Sequence, residues 1–145
     1  MTFPAGLHKE AQLFGSYVER KTVVFATGTT GAIGNHDIFT VTGAAHVVVV
    51  GYCTADLTGA TATISLGTDG VVAGLIALTT ATTIDNGMIW FDTAPSECET
   101  LTSLGGAWVS DNISYDVLTA PIDTGTITFV CFWTPVSANA TVVAA

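Results

Sequence analysis

The side chains with the chemistry to bind metal, move protons or attack a substrate are few and scattered. Three histidines occur, His8, His36 and His46. A zinc site needs three or four converging ligands, and the chain has neither a His-x-His pair nor an HExxH run. Only His36 with its neighbour Asp37, joined by His46 if the fold brings two strand starts together, offers even a partial set. Glu97 and Glu99 form a carboxylate pair of the type glycosidases use. They stand two apart in an acidic stretch, which fits a solvated turn or a weak cation site better. Asp85-Asn86-Gly87 resembles part of a calcium loop without the distal glutamate. Gly28 to Gly34 is glycine-rich, as phosphate cradles are. No Gly-Lys-Ser/Thr follows, however, and Ile38-Phe-Thr-Val41 is a strand where a dinucleotide site needs a helix. There is no Gly-x-Ser-x-Gly elbow, so no nucleophilic serine is marked. The expectation is no enzyme: no catalytic residue, no metal and no cofactor.

The segments that position these residues alternate with a period of two. In Gly125-Thr-Ile-Thr-Phe-Val-Cys-Phe-Trp-Thr-Pro135, the residues Ile127, Phe129, Cys131 and Trp133 share one face. Val130 and Phe132 make the other face apolar toward its end, so this strand is expected near the middle of a sheet with protein on both sides. Ala45 to Cys53 has the same two-sided character and reads as a second central strand. Further strands are expected at Thr22 to Ala26, Asp37 to Thr42, Gly59 to Leu66, Val71 to Leu78, Met88 to Phe91 and Asn112 to Leu118. Between them lie turn residues: Gly43, Asp69-Gly70, Asp85-Asn86-Gly87, Gly105-Gly106 and Pro121. Ala62, Ile64 and Leu66 face inward on one of these strands, and Ile113, Tyr115 and Val117 on another. Trp90 and Trp133 read as core, and Trp108, beside Gly105-Gly106, as exposed. The pattern predicts an all-β chain: an antiparallel β-sandwich, jelly-roll-like, with an immunoglobulin-like sandwich as the alternative. The Cys53 to Cys131 separation is too long for the immunoglobulin spacing.

Composition narrows the function classes. The chain has 145 residues, enough for a single domain, with 49% hydrophobic and only 10% charged residues. No apolar run approaches the roughly 20 residues of a membrane helix, and the first residues lack the cationic start and apolar core of a secretory signal. The expected setting is a cytoplasm, without membrane. The net charge is −9, yet every lysine and arginine lies in the first 21 residues: Lys9, Arg20 and Lys21. A body without cations cannot form a basic groove, so nucleic acid is not an expected partner. Cys53, Cys98 and Cys131 are an odd set with no CxxC pair. Cys53 and Cys131 are expected to act as small hydrophobes, with a bridge between them as the alternative. Asn112-Ile-Ser and Asn139-Ala-Thr are glycosylation sequons without a secretory route.

Residues 1–21 differ from the rest. Leu7, Ala11, Phe14 and Val18 follow helical spacing, with Leu13 and Tyr17 beside them and Lys9, Glu10 and Arg20 on the polar side. Two readings stay open: a segment frayed or packed on its own domain, and an arm that docks on a partner. In the second, Lys9, Arg20 and Lys21 meet an acidic surface, and Leu13, Phe14 and Tyr17 fill pockets. Residues 22–145 then form the single sandwich domain.

The run Asp56-Leu-Thr-Gly-Ala-Thr-Ala-Thr-Ile-Ser-Leu-Gly67, the run Leu75 to Trp90 and the ending Val130-Cys-Phe-Trp-Thr-Pro-Val-Ser-Ala138 with the tail Val142 to Ala145 resemble a known group. They are similar to the head decoration, or cement, proteins of tailed double-stranded DNA bacteriophages. That resemblance implies a β-rich homotrimer on the outside of the virion, bound to the major capsid protein and stabilising the shell. An arm gripping neighbouring capsid subunits fits it. A tail or fibre component with a glycan-binding β module, using an exposed tryptophan such as Trp90 or Trp108, is the alternative.

Overall fold

In a computed structural model the described residues are 17–99 and 106–145. They form strands β1 (Tyr17–Val24), β2 (Gly34–Thr42), β3 (Ala45–Thr58), β4 (Thr63–Thr68), β5 (Ile76–Thr80), β6 (Ile89–Trp90), β7 (Ala107–Val109), β8 (Ile113–Leu118), β9 (Thr124–Pro135) and β10 (Thr141–Ala144). A single 3-10 turn, Ala81–Thr83, is the only helical element among them. One sheet runs β1-β9-β3-β6, with β7 also on β3; the other runs β10-β2-β8-β4-β5. All pairings are antiparallel, so the all-β sandwich expected from the periodicity is what forms.

The pairings are nested. β1 pairs with β9, β2 with β8, β3 with β6 and β7, and β4 with β5. A long hairpin rolled so that successive rungs alternate between two sheets has this order, which is the winding of a jelly roll. The strand order does not follow the immunoglobulin alternative.

Both central-strand expectations hold in position. β9 lies between β1 and β3, and β3 between β9 and β6. Protein on both sides of β9 is not found, however. Ile127, Phe129, Cys131 and Trp133 are buried, whereas Val130 and Phe132 on the outward face are only half-buried. Inward residues of the two sheets meet in one core. Ile113, Tyr115 and Val117 face Ile127 and Phe129, and the aromatic rings continue from Tyr115 through Phe129 to Trp90. Two outward serines are also buried. Ser65 donates to the Val72 carbonyl at 2.9 Å, because residues 69–75 fold back over β4. Ser114 accepts from Asn35 Nδ2 at 2.9 Å.

Three sequence expectations move. Tyr17 to Lys21 is not a detached or helical arm but the first part of β1, in register with Trp133 to Phe129. Alternation of Tyr17, Glu19, Lys21 and Val23 against Val18, Arg20, Thr22 and Val24 suits a strand, and pairing satisfies one edge of β9. The segment Val142 to Ala145, read as a tail, pairs with β2 instead. The strand expected at Val71 to Leu78 begins only at Ile76. The tight Asp69-Gly70 turn forms as expected, with Thr68 and Val71 exchanging backbone bonds at 3.0 and 3.1 Å, but a second turn, Gly74 N on Val71 O, follows before Leu75 N donates to Leu66 O. The Asp85-Asn86-Gly87 turn is as expected, closed by Met88 N on Asp85 O at 3.0 Å with Gly87 at φ +87. No helix among the described residues is long and apolar enough to cross a membrane.

Candidate functional site

The chemistry-bearing residues singled out by sequence are dispersed by this topology. His36 is on β2 and His46 on β3, in different sheets, and β2 and β3 run to and from the turn at Gly43. His36 stacks on Tyr115 at 4.9 Å, and its Nε2 donates to Ala32 O at 2.8 Å, so it acts as a packed core-edge side chain. Among the described residues, no three His, Cys, Asp or Glu side chains are grouped to hold a metal. Glu99 accepts from Ser96 Oγ at 3.0 Å within its own loop. The Gly28 to Gly34 loop is a connector. Gly31 N bonds Ala26 O, Ile122 N bonds Gly31 O, and a Cβ on Gly31 would collide with the Ile122 carbonyl. Asn112, in one sequon, accepts from Val41 N and donates to Asp37, roles that hold the sheet edge.

Cys53, Cys98 and Cys131 are all free, so the alternative of a Cys53–Cys131 bridge is not realised. The register explains this: Cys131 sits opposite Val49 and Cys53 opposite Ile127 in the same sheet. Burial, with Glu19 adding repulsion, pushes the Cys131 thiol up to about 12. Burial raises Cys53 as well, opposed by a backbone hydrogen bond from Ala55.

One open cleft of about 720 Å³ gathers polar groups: Lys21, Asn35, His36, Asp37, Asp69 and the edge of Tyr115. It lies where β1 and β2 flank the open edge of the sandwich. The Asp69 carboxyl is held above its ordinary range, chiefly by loss of hydration. A hydrogen bond from Ser114 opposes that shift, and Asp37 and Asp111 add to it.

The six residues placed on a partner-binding arm divide into two groups. Lys9, Leu13 and Phe14 lie outside the described residues. Tyr17, Arg20 and Lys21 lie on β1. Tyr17 stacks on Trp133 with ring centroids 4.6 Å apart, and Lys21 Nζ donates to the backbone oxygen of Ala145. Both thereby fasten β1 to the body rather than reaching away from it. Arg20 is exposed and faces outward beside Val130.

That outward face of the β1-β9-β3 sheet is the feature sequence reasoning located only in general terms. Register places Val18 beside Phe132 and Val48, Arg20 beside Val130 and Val50, and Thr22 beside Thr128 and Tyr52. Antiparallel sheets usually turn polar residues to water on such a face. Among the described residues it carries valines, aromatics and a threonine pair, one arginine and no carboxylate. Trp108, 75% exposed as the sequence suggested, pairs with His46 at its end, between grooves of about 390 and 370 Å³. Compared with family models, curated proteins and solved structures, the chain matches none.

Proposed function

We propose that this is a structural virion protein, a head decoration or cement protein that binds the outside of a phage capsid as a homotrimer and stabilises it. Segregation of charge carries the reading. Among the described residues the only lysine and arginine are Arg20 and Lys21, both on the edge strand β1 beside Glu19, while the other acids, Asp37 to Asp123, occupy the remainder. Lys9, Leu13 and Phe14 precede that strand, and in this reading they engage the major capsid protein. Tyr17 and Lys21 fix the base of the segment to the sandwich. The jelly roll adds support only at the level of fold, since the same fold serves capsid and lectin domains.

The test is co-sedimentation with shells assembled from the major capsid protein encoded alongside this chain. Saturable binding is expected, and Lys9→Glu with Phe14→Ala weakens it about tenfold or more while leaving the circular dichroism unchanged. Binding equal to wild type in that variant removes the arm from the account. Exposure of Trp108 favours a second reading, a tail or fibre module that stacks a sugar ring on this indole. Glycan binding lost in Trp108→Ala, with no shell binding, selects that reading instead.

A further inference from the structure

We propose that copies of this chain associate through the outward face of the β1-β9-β3 sheet, with Val50, Tyr52, Val130 and Val18 as its apolar centre and Arg20 as its single charge. The inference deepens the virion reading by locating the contact between subunits.

Three observations carry it. First, β3 and β9 are apolar on both faces in sequence, as strands buried on both sides are. Among the described residues the outward face stays partly open, with Tyr52 47% and Val18 43% exposed, while Val48 at one end of it is buried. Val50 and Val130, directly paired on the neighbouring strands, are half-buried. Contiguous apolar surface of this kind marks an interface in soluble proteins.

Second, charge selects the occupant. A chain of net charge −9 repels its own copies wherever carboxylates face each other. The outward positions Val18 to Thr22, Thr128 to Phe132 and Val48 to Tyr52 hold no carboxylate. They form a face on which copies of the chain pack around a shared axis without that repulsion. Arg20, on the edge strand of this face, offers the opposite charge to a neighbour's carboxylates.

Third, the surface is built on long paired strands. β3 and β9 are the longest strands, and their ladder runs from Ala45–Pro135 to Thr58–Thr124. An interface formed on such a scaffold requires little ordering on association.

The experiment is light scattering of the full-length chain across a range of concentrations, with no capsid present. Wild type is expected at a multiple of the single-chain mass. Tyr52→Lys and Val18→Lys, at positions already half open to water, are expected to raise the dissociation constant at least tenfold. Leu78→Lys, 48% exposed on the other sheet, serves as the matched control and leaves the mass unchanged. Circular dichroism verifies the fold of each. If a lysine variant fails to fold, Arg20→Glu reads the same face by charge alone, and weaker association is expected. A wild-type monomer at all concentrations overturns the proposal, as does an oligomer whose mass no face variant alters. Because no shell is present, this result is independent of capsid binding. Shell binding by a monomer sinks the interface alone, and an oligomer that ignores shells sinks the virion reading alone.

Discussion

Tyr115 sits where both sheets and the connector after β1 meet. Its ring stacks with His36 and Phe129, and its hydroxyl donates to Thr30 O at 2.6 Å. Removing only that hydroxyl strands the carbonyl. Tyr115→Phe is therefore expected to lose about 1–2 kcal/mol in urea unfolding, with the fold unchanged. Thiol chemistry gives a second check at this scale. Cys53 and Cys131 are buried with raised pKa values, and Cys98 is exposed. A maleimide is expected to label one thiol rapidly in the native chain and three after denaturation; fast labelling of a second thiol contradicts the packing of β3 or β9. Asp69 gives a third. Its folded-state pKa is raised, so the folded chain binds the proton more tightly than the unfolded chain. Its contribution to stability is fully present below the ordinary carboxylate pKa and is lost as pH rises through the raised value. Asp69→Asn is expected to have the higher thermal midpoint at about pH 7, the gap closing toward about pH 4. A gap that widens on acidification contradicts the Asp37–Asp69 arrangement.

At the scale of elements, the strands legible in the sequence were those with an unbroken inward alternation. Ile127 to Trp133 and Ile113 to Val117 alternate cleanly, and their inward residues are all buried. Phe129→Ala on β9 is accordingly expected to cost about 3–5 kcal/mol. Elements missed were short or contested. β10 buries only Val142 deeply, and β7 is three residues beside a glycine pair, so neither builds a periodic signal. In β1, the helical spacing of Leu7, Ala11, Phe14 and Val18 competed with strand alternation, and pairing with β9 decided it. That placement has a measurable consequence. Deleting residues 1–16 leaves β1 whole and is expected to give the higher midpoint of two truncations. Deletion through Lys21 removes most of β1, bares an edge of β9 and lowers the midpoint by several degrees or more. Equal midpoints contradict the assignment of Tyr17 to Lys21 to the sandwich.

At the scale of the whole molecule, the winding follows from pairings remote in sequence, such as β1 with β9. Local periodicity carries no record of those pairings, which is why the jelly roll was one of two sandwich readings. The candidate site was legible in its parts. Trp108 was placed outside, Trp90 and Trp133 inside, and apolar residues on both faces of β3 and β9. Their assembly into one outward face without carboxylates depended on register across three strands, which no single segment encodes. An acidic body, an edge strand that carries Arg20 and Lys21, and an apolar sheet face are the features behind the proposal that this protein acts by contact with other proteins. The measurement that tests this most directly is the number of chains bound per major capsid protein at saturation, on purified shells. The account predicts saturable binding at a fixed ratio set by the shell's three-fold positions. No binding, or binding that rises without a plateau, contradicts it.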